Sequence, residues 1–168
     1  MTSTPHLVLI GPPGAGKTRL GKKVARIIGS DFIDTDRRIV SVHGPISDIF
    51  AAHGEAYFRK LERAEVTRAL AEAAVISLGG GAVLDPGTQA DLARHRVALV
   101  TVSPEAVKAR IAGPGRPLLT GGLDAWTRLV ETRREIYERL ATRTWDTSDR
   151  PIDTIAAEIA DWITKEER

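Results

Sequence analysis

The chain has 168 residues, 42% of them hydrophobic and 27% charged, which suits a soluble α/β protein with a single domain over residues 1–168. Lysine and arginine number 24 against 22 acidic residues and form no long basic run, which disfavours a nucleic-acid partner and favours small anionic ligands. The absence of cysteine excludes disulfides, thiolate metal sites and a cysteine nucleophile.

The start of the chain lacks a basic region, and its apolar run at residues 7–10 is too short for a secretion signal. We therefore expect a cytoplasmic protein with no membrane contact, and we expect it to be a monomer. The four histidines are scattered without the close spacing of metal ligands, so we interpret them as ordinary surface or loop residues.

Short apolar runs alternate with segments of helical periodicity, a pattern typical of a parallel sheet with helices on both faces. The predicted strands, whose continuous apolar character suits burial on both faces, are residues 6–10, 31–34, 75–78, 97–102 and 144–147. Helices are predicted to begin near Lys17, Ile46, Glu55, Pro86, Pro104, Asp124 and Pro151. Residues 112–123 are dense in glycine and proline, which predicts a mobile lid between two helices.

A phosphate-binding loop is predicted at residues 11–18, GPPGAGKT, which follow a strand and open a helix. Glycines let the backbone wrap phosphates closely, and amides at a helix N-terminus point at negative charge. Lys17 is expected to neutralise the β- and γ-phosphates of ATP, and the Thr18 hydroxyl to bind Mg²⁺. The loop residues expected to contact the nucleotide are Gly14, Ala15 and Gly16. A plain glycine-rich turn is the alternative, which the spacing, the lysine and the threonine together disfavour.

The residues at the end of the third predicted strand narrow the class of phosphate-loop protein. Residues 74–78 end in Gly79, Gly80 and Gly81 rather than in a magnesium-binding aspartate, and the sequence contains no asparagine for a guanine-reading Asn-Lys-x-Asp motif. A switch GTPase is therefore disfavoured. Three consecutive glycines after a central strand instead allow bare backbone to approach a ring-shaped substrate.

Two acids close the second predicted strand, Asp34 and Asp36. Residues two apart on a strand point to the same face, so both carboxylates are expected in one cleft. One can hold a water of the magnesium ion and the other a substrate hydroxyl. A strand-end turn with solvated acids is the alternative, which the nearby phosphate loop disfavours.

Arginines on two predicted helices are candidates for binding a substrate carboxylate. On the helix from Glu55 to about residue 73, Glu62 falls on the apolar face and Arg59 lies at the edge of that face. Arg59 is therefore expected to bind the anion, and Glu62 is expected to orient the Arg59 guanidinium. A plain intrahelical ion pair is the alternative. On a later helix Arg133 lies within the apolar stripe, where a guanidinium needs an anion, whereas Arg134 lies at its margin.

These motifs together resemble the shikimate kinase family over nearly the whole chain. They are the loop at 11–18, the acids at 34–36, G-E…F-R at 54–59, the glycines at 79–81, R-P-L-L at 116–119, and Arg133 with Tyr137. The resemblance implies a three-layer phosphate-loop fold of the nucleoside-monophosphate-kinase type, with an acceptor-binding region near residues 36–62. It also implies transfer of phosphate from MgATP to the 3-hydroxyl of shikimate, on the route to chorismate.

The resemblance further implies roles for individual residues. Asp34 binds magnesium through water, and Asp36 binds the acceptor hydroxyl. Shikimate is bound by Arg59, Arg133 and the three glycines. On the nucleotide side, Arg110 stacks near the adenine, and Arg150 and Pro151 form the adenine loop. Arg116 is expected to reach the transferring phosphoryl group. The alternative for Arg116 is a solvated loop residue. For Arg110 it is an exposed helix end, and for Pro151 an ordinary helix start.

Two other functions are compatible with the sequence. A related small-molecule kinase such as a gluconate kinase also binds an acidic polyol, but the motif at 54–59 and the glycine triplet favour a ring-shaped acceptor. A catalytically silent nucleotide-binding module accounts for the phosphate loop and leaves Arg59, Arg133 and the paired aspartates without a purpose.

Overall fold

A computed structural model describes residues 3–111 and 122–166. Within them a five-stranded parallel sheet has the strand order β2-β3-β1-β4-β5. The strands are β1 (Leu7–Ile10), β2 (Asp31–Asp34), β3 (Ala74–Ser77), β4 (Val97–Thr101) and β5 (Arg143–Asp146). The prediction of an α/β fold with five parallel strands is confirmed.

Helices connect the strands and cover both faces of the sheet. They are α1 (Lys17–Ile28), α2 (Thr35–His43), α3 (Ile46–His53), α4 (Glu55–Ala69), α5 (Pro86–Leu92), α6 (Pro104–Ile111), α7 (Gly122–Leu140) and α8 (Ile152–Glu166), with a 3₁₀ turn at Ala82–Leu84. None of the helices in the described ranges is long and apolar enough to cross a bilayer.

Alternate residues of β1 enter two separate cores. Leu7 and Leu9 pack with Trp126 and the apolar face of α8, whereas Val8 and Ile10 pack on the opposite side of the sheet with Ile76. All four β1 side chains are buried, which is why this strand is a continuous apolar run without alternation. The rigid sheet fixes the positions of the loops that follow β1, β2 and β3.

The structure corrects the predicted geometry of the acids after β2. The strand ends at Asp34, and Thr35 begins helix α2, which the sequence patterns did not predict. Asp34 caps this helix, since its carboxylate accepts a hydrogen bond from the Arg37 amide at 3.2 Å. The prediction that Asp34 and Asp36 share one face of a strand is therefore wrong.

Several predicted boundaries also move. Helix α4 ends at Ala69 rather than near residue 73, since the chain turns at residues 70–73 before entering β3. Helix α7 begins at Gly122 rather than Asp124, so the last two residues of the predicted lid are helical. Residues 112–121, which hold the rest of that predicted lid, lie outside the described residues.

Candidate active site

The phosphate loop connects β1 to α1. Gly11 has a φ of 148°, and a Cβ there would collide with the Val100 carbonyl oxygen, so this turn requires glycine. Lys17 reaches back across the loop, and its Nζ donates to the carbonyl oxygens of Gly11 at 2.6 Å and Pro12 at 3.1 Å. Burial lowers the pKa of Lys17 to about 8, and the carboxylates of Asp36 and Asp34 oppose the shift.

A pair of oxygen donors lies directly after this lysine. Thr18 Oγ1 donates to Asp34 Oδ2 at 2.9 Å, which brings the start of α1 against the end of β2. A hydroxyl and a carboxylate are the ligands that Mg²⁺ prefers, and a magnesium ion takes its other ligands from water and nucleotide phosphates. Within the described ranges no group of three or more His, Cys, Asp or Glu side chains could hold a metal ion.

Asp36 lies in the first turn of α2 and faces the glycine triplet. Its Oδ1 is buried and has no hydrogen-bond partner in the part of the chain that the structure describes. Burial raises the pKa of Asp36, and Asp34 raises it further, while Lys17 and Arg59 act in the opposite direction. A buried carboxylate oxygen without a donor is costly in a folded protein, so it marks a place where a ligand can supply the missing hydrogen bond.

Arg59 and Glu62 form the ion pair that the helical spacing predicts. Arg59 Nη1 donates to Glu62 Oε1 at 2.8 Å, and Arg59 Nη2 lies 3.3 Å from Glu55 Oε1. Glu62 is only 4% exposed, whereas the Arg59 side chain keeps 28% of its surface accessible. Burial raises the pKa of Glu62, and the hydrogen bond from Arg59 opposes this shift. The buried acid thus holds a guanidinium whose remaining donors can reach an anion.

The two arginines of α7 differ in solvent exposure, as predicted. Arg133 is partly buried, whereas Arg134 is exposed and pairs with Glu131 at 2.7 Å. One turn after Arg133, the Tyr137 hydroxyl donates to the Gly80 carbonyl at 2.6 Å. Burial raises the pKa of Tyr137, and Arg133 opposes the shift. Tyr137 stands out in the sequence only as part of a family-like motif, and its bond to Gly80 could not be inferred from spacing.

A charged side chain lies next to each glycine of the triplet, and at Gly80 the Pro13 ring is closer still. A Cβ on Gly79 would lie 2.5 Å from Asp36 Oδ1, one on Gly80 would lie 3.4 Å from Arg133 Nη1, and one on Gly81 would collide with Arg59 Nη1. None of these three glycines has a positive φ, so their backbone conformation does not require glycine. They leave room for the side chains around them.

The residues predicted to contact adenine lie on the other side of the phosphate loop. Arg110 on α6 donates from Nη1 to the Gly14 carbonyl at 2.8 Å and from Nη2 to the Thr147 carbonyl at 2.7 Å. Arg150 is exposed and forms an ion pair with Glu158, and Pro151 directly precedes α8. Arg116 lies outside the described residues.

The phosphate loop after the central strand β1, with acids after β2 and cationic side chains around a glycine triplet after β3, defines a P-loop kinase of the nucleoside-monophosphate-kinase type. A family model described as shikimate kinase matches residues 13–164. The chain belongs to the shikimate kinase family. The resemblance inferred from the six motifs is thereby confirmed, and so is the enzyme class, a phosphotransferase that uses ATP.

Sequence relatives and solved structures agree with this placement. The chain is 44% identical to a shikimate kinase of Salinispora arenicola over 160 residues, which cover 93% of this chain and 96% of the relative. It is 45% identical to one of Thermobifida fusca over 164 residues, 95% of each chain. A shikimate kinase from Acinetobacter baumannii in complex with shikimate superposes with a TM-score of 0.87 at 27% identity, covering 98% of this chain and 95% of that one.

Proposed function

We propose that this chain transfers the γ-phosphate of ATP to the 3-hydroxyl of shikimate, giving shikimate 3-phosphate and ADP. Asp36, Arg59 and Arg133 converge on the glycine triplet directly beside Lys17 of the phosphate loop. This convergence of one carboxylate and two guanidinium groups supports the assignment most strongly, because an acceptor with a hydroxyl and a carboxylate needs such partners.

The acceptor side of the site binds the organic acid. Arg59 and Arg133 pair with the shikimate carboxylate, Glu62 keeps Arg59 in position, and the bare backbone at residues 79–81 admits the ring. Asp36 accepts a hydrogen bond from the acceptor hydroxyl, which supplies the partner that its buried oxygen otherwise lacks. Helices α2 to α4 form the acceptor-binding region.

The nucleotide side neutralises phosphate charge. Amides of Gly14, Ala15 and Gly16 and the Lys17 ammonium bind the β- and γ-phosphates, so Lys17 and the Ala15 amide exchange their carbonyl partners for phosphate oxygens. Thr18 and, through water, Asp34 would hold a magnesium ion, which would neutralise further phosphate charge. Arg110, Arg150 and Pro151 border the adenine, and Arg116 contacts the phosphoryl group in transfer.

Phosphoryl transfer depends on positioning and charge neutralisation, because the transition state spreads negative charge over the γ-phosphate oxygens. Asp36 aims the hydroxyl oxygen at phosphorus and accepts its proton as the new P–O bond forms. Its raised pKa brings its proton affinity closer to what that late transfer requires. The leaving group is ADP, whose charge Lys17 continues to neutralise.

An assay of ADP release distinguishes this function from its rivals. Purified protein with MgATP is expected to release ADP rapidly with shikimate, and only at a low basal rate without an acceptor or with gluconate. Rapid release with gluconate alone would assign the chain to a different small-molecule kinase. ATP binding without ADP release under any of these conditions would instead indicate a silent nucleotide-binding module.

A further inference from the structure

The carbonyl oxygens of the phosphate loop are held by side chains from outside the loop as well as by Lys17. Three consecutive carbonyls accept hydrogen bonds from three different elements: Pro13 from Trp126 Nε1 at 2.8 Å, Gly14 from Arg110 Nη1 at 2.8 Å, and Ala15 from Thr147 Oγ1 at 2.7 Å. These donors lie on α7, on α6 and directly after β5. We call this set the carbonyl brace.

Two members of the carbonyl brace are fixed by burial. Trp126 is 1% exposed and packs in the same core as Leu7 and Leu9 of β1, so its indole has little freedom to leave the loop. Thr147 is 3% exposed, and Arg110 donates to both its carbonyl and its hydroxyl oxygen. The Thr147 hydroxyl also lies 3.2 Å from the Thr101 carbonyl, but its contact with Ala15 is the shorter one.

The orientation of a carbonyl fixes the orientation of the next amide. A trans peptide unit is planar, with its C=O and N–H pointing in opposite directions. Carbonyls of residues 13–15 that point toward the brace therefore turn the N–H groups of residues 14–16 away from it. The Ala15 amide also closes a turn onto the Pro12 carbonyl at 3.3 Å, which limits the loop further.

This loop needs an external constraint because glycine has more backbone freedom than any other residue. Gly14 and Gly16 adopt φ values of 82° and 92°, which are only part of the wide range that glycine can reach. Ordering such a loop only when the nucleotide arrives reduces affinity, whereas a loop ordered in advance avoids that loss.

We propose that Trp126 and Thr147 are positioning residues for nucleotide binding, which orient the amides of the phosphate loop without touching the nucleotide. The inference rests on the proposed use of this loop to bind ATP. Both residues, one in α7 and one after β5, thereby affect nucleotide affinity. Their burial alone does not require such a role.

The threonine is tested by two conservative substitutions. Thr147→Val keeps the shape and removes the hydroxyl, whereas Thr147→Ser keeps the hydroxyl. Calorimetric titration with ADP is expected to give about three- to tenfold weaker binding for Thr147→Val, the loss typical of one buried hydrogen bond, and near wild-type binding for Thr147→Ser. The matched control is Thr88→Val, another buried threonine bonded to an arginine but located on α5.

The tryptophan is tested against a second buried indole. Trp126→Phe removes the donor to Pro13 and is expected to weaken ADP binding about three- to tenfold while leaving the KM for shikimate unchanged. Trp162→Phe removes a donor of the same kind, which bonds Glu166 at 2.7 Å on α8, and is expected to leave ADP binding unchanged. Amide hydrogen exchange in residues 14–16 is expected to be faster in Trp126→Phe than in Trp162→Phe.

Equal ADP affinities in Thr147→Val and Thr147→Ser, or in Trp126→Phe and Trp162→Phe, would overturn the inference. Should Trp126→Phe fail to fold, the threonine pair decides the question alone. Because ADP binding is measured without an acceptor, a wild-type protein that binds ADP but does not phosphorylate shikimate would contradict the proposed function and not the carbonyl brace.

Discussion

Arg59 donates to Glu62 at 2.8 Å across one turn of α4, and solvent barely reaches the Glu62 carboxylate. A buried carboxylate screened little by water holds a guanidinium more firmly than an exposed one does. The pair therefore restricts Arg59 to one region of the cleft, against Gly81. This arrangement costs stability through the burial of Glu62 and holds the Arg59 guanidinium in one position, ready for the anion that we propose it binds.

Glu62→Gln is expected to raise the KM for shikimate about tenfold, because a neutral amide holds Arg59 less firmly than a carboxylate does. The KM for ATP is expected to change little. Steady-state kinetics with each substrate varied in turn measure both values. Glu131→Gln is the matched control, since Glu131 forms an ion pair of the same spacing with Arg134 on the exposed face of α7. Equal effects on the two KM values would mean that Glu62 has only a structural role.

Arg133→Ala is expected to weaken shikimate binding about a hundredfold and ATP binding much less, because it removes one of the two groups proposed to bind the carboxylate. Arg134→Ala on the exposed side of the same helix is expected to leave both affinities unchanged. Equilibrium titrations with shikimate and with ADP separate the two effects. Comparable losses for both ligands in Arg133→Ala would show that the assignment of Arg133 is wrong.

The sequence was sufficient for the sheet and the phosphate loop, because those features depend on local patterns. Buried parallel strands are short apolar runs, and Lys17 and Thr18 stand at fixed positions after a strand. Positions on the helical wheel also predicted that Arg133 is more buried than Arg134, since one face of α7 contacts the core and the other faces water.

Helix α2 could not be predicted from the same patterns. The segment after β2 is short and mostly polar, and one capping hydrogen bond to Asp34 is all that marks the start of the helix. Contacts between distant parts of the chain were equally inaccessible. Trp126 and Pro13 are 113 positions apart, and no local pattern links an indole in α7 to a carbonyl of the phosphate loop.

Gly79→Ala is expected to lower kcat about a hundredfold, because the new methyl group would lie 2.5 Å from Asp36 Oδ1 and displace the carboxylate from its proposed position beside the acceptor hydroxyl. Gly87→Ala introduces a similar crowding, 3.0 Å from the Arg63 guanidinium on α4, outside the cleft. Its kcat is expected to stay near the wild-type value. If both variants kept full kcat, close approach of Asp36 to the glycine triplet would not matter for catalysis.

Asp36→Asn is expected to reduce kcat by at least about a hundredfold and to raise the melting temperature of the ligand-free protein by a few degrees. The pKa of Asp36 is raised in the folded state, so the folded protein binds more protons there than the unfolded chain. Its contribution to stability is present below the unfolded pKa and is lost as pH rises through the folded pKa.

The thermal advantage of Asp36→Asn over the wild type is therefore expected to grow as pH rises from about 4 toward neutrality. Differential scanning calorimetry at several pH values measures it. Asp146→Asn makes the same substitution at an exposed acid that ends β5 and serves as the matched control. An advantage of Asp36→Asn that shrinks with rising pH would contradict the raised pKa.

Nucleotide binding is expected to be accompanied by proton uptake near pH 8. Burial lowers the pKa of Lys17 to about 8 in the ligand-free protein, so about half of the molecules carry a neutral lysine at that pH. Bound phosphates favour the charged form and raise this pKa, so each neutral Lys17 takes up a proton when ADP binds. Calorimetric titration with ADP in buffers of different ionisation enthalpy is expected to give an uptake of about half a proton at pH 8. Because an arginine stays charged, Lys17→Arg is expected to bind ADP without proton uptake. A wild-type protein that takes up no protons would show that Lys17 is already charged before the nucleotide arrives.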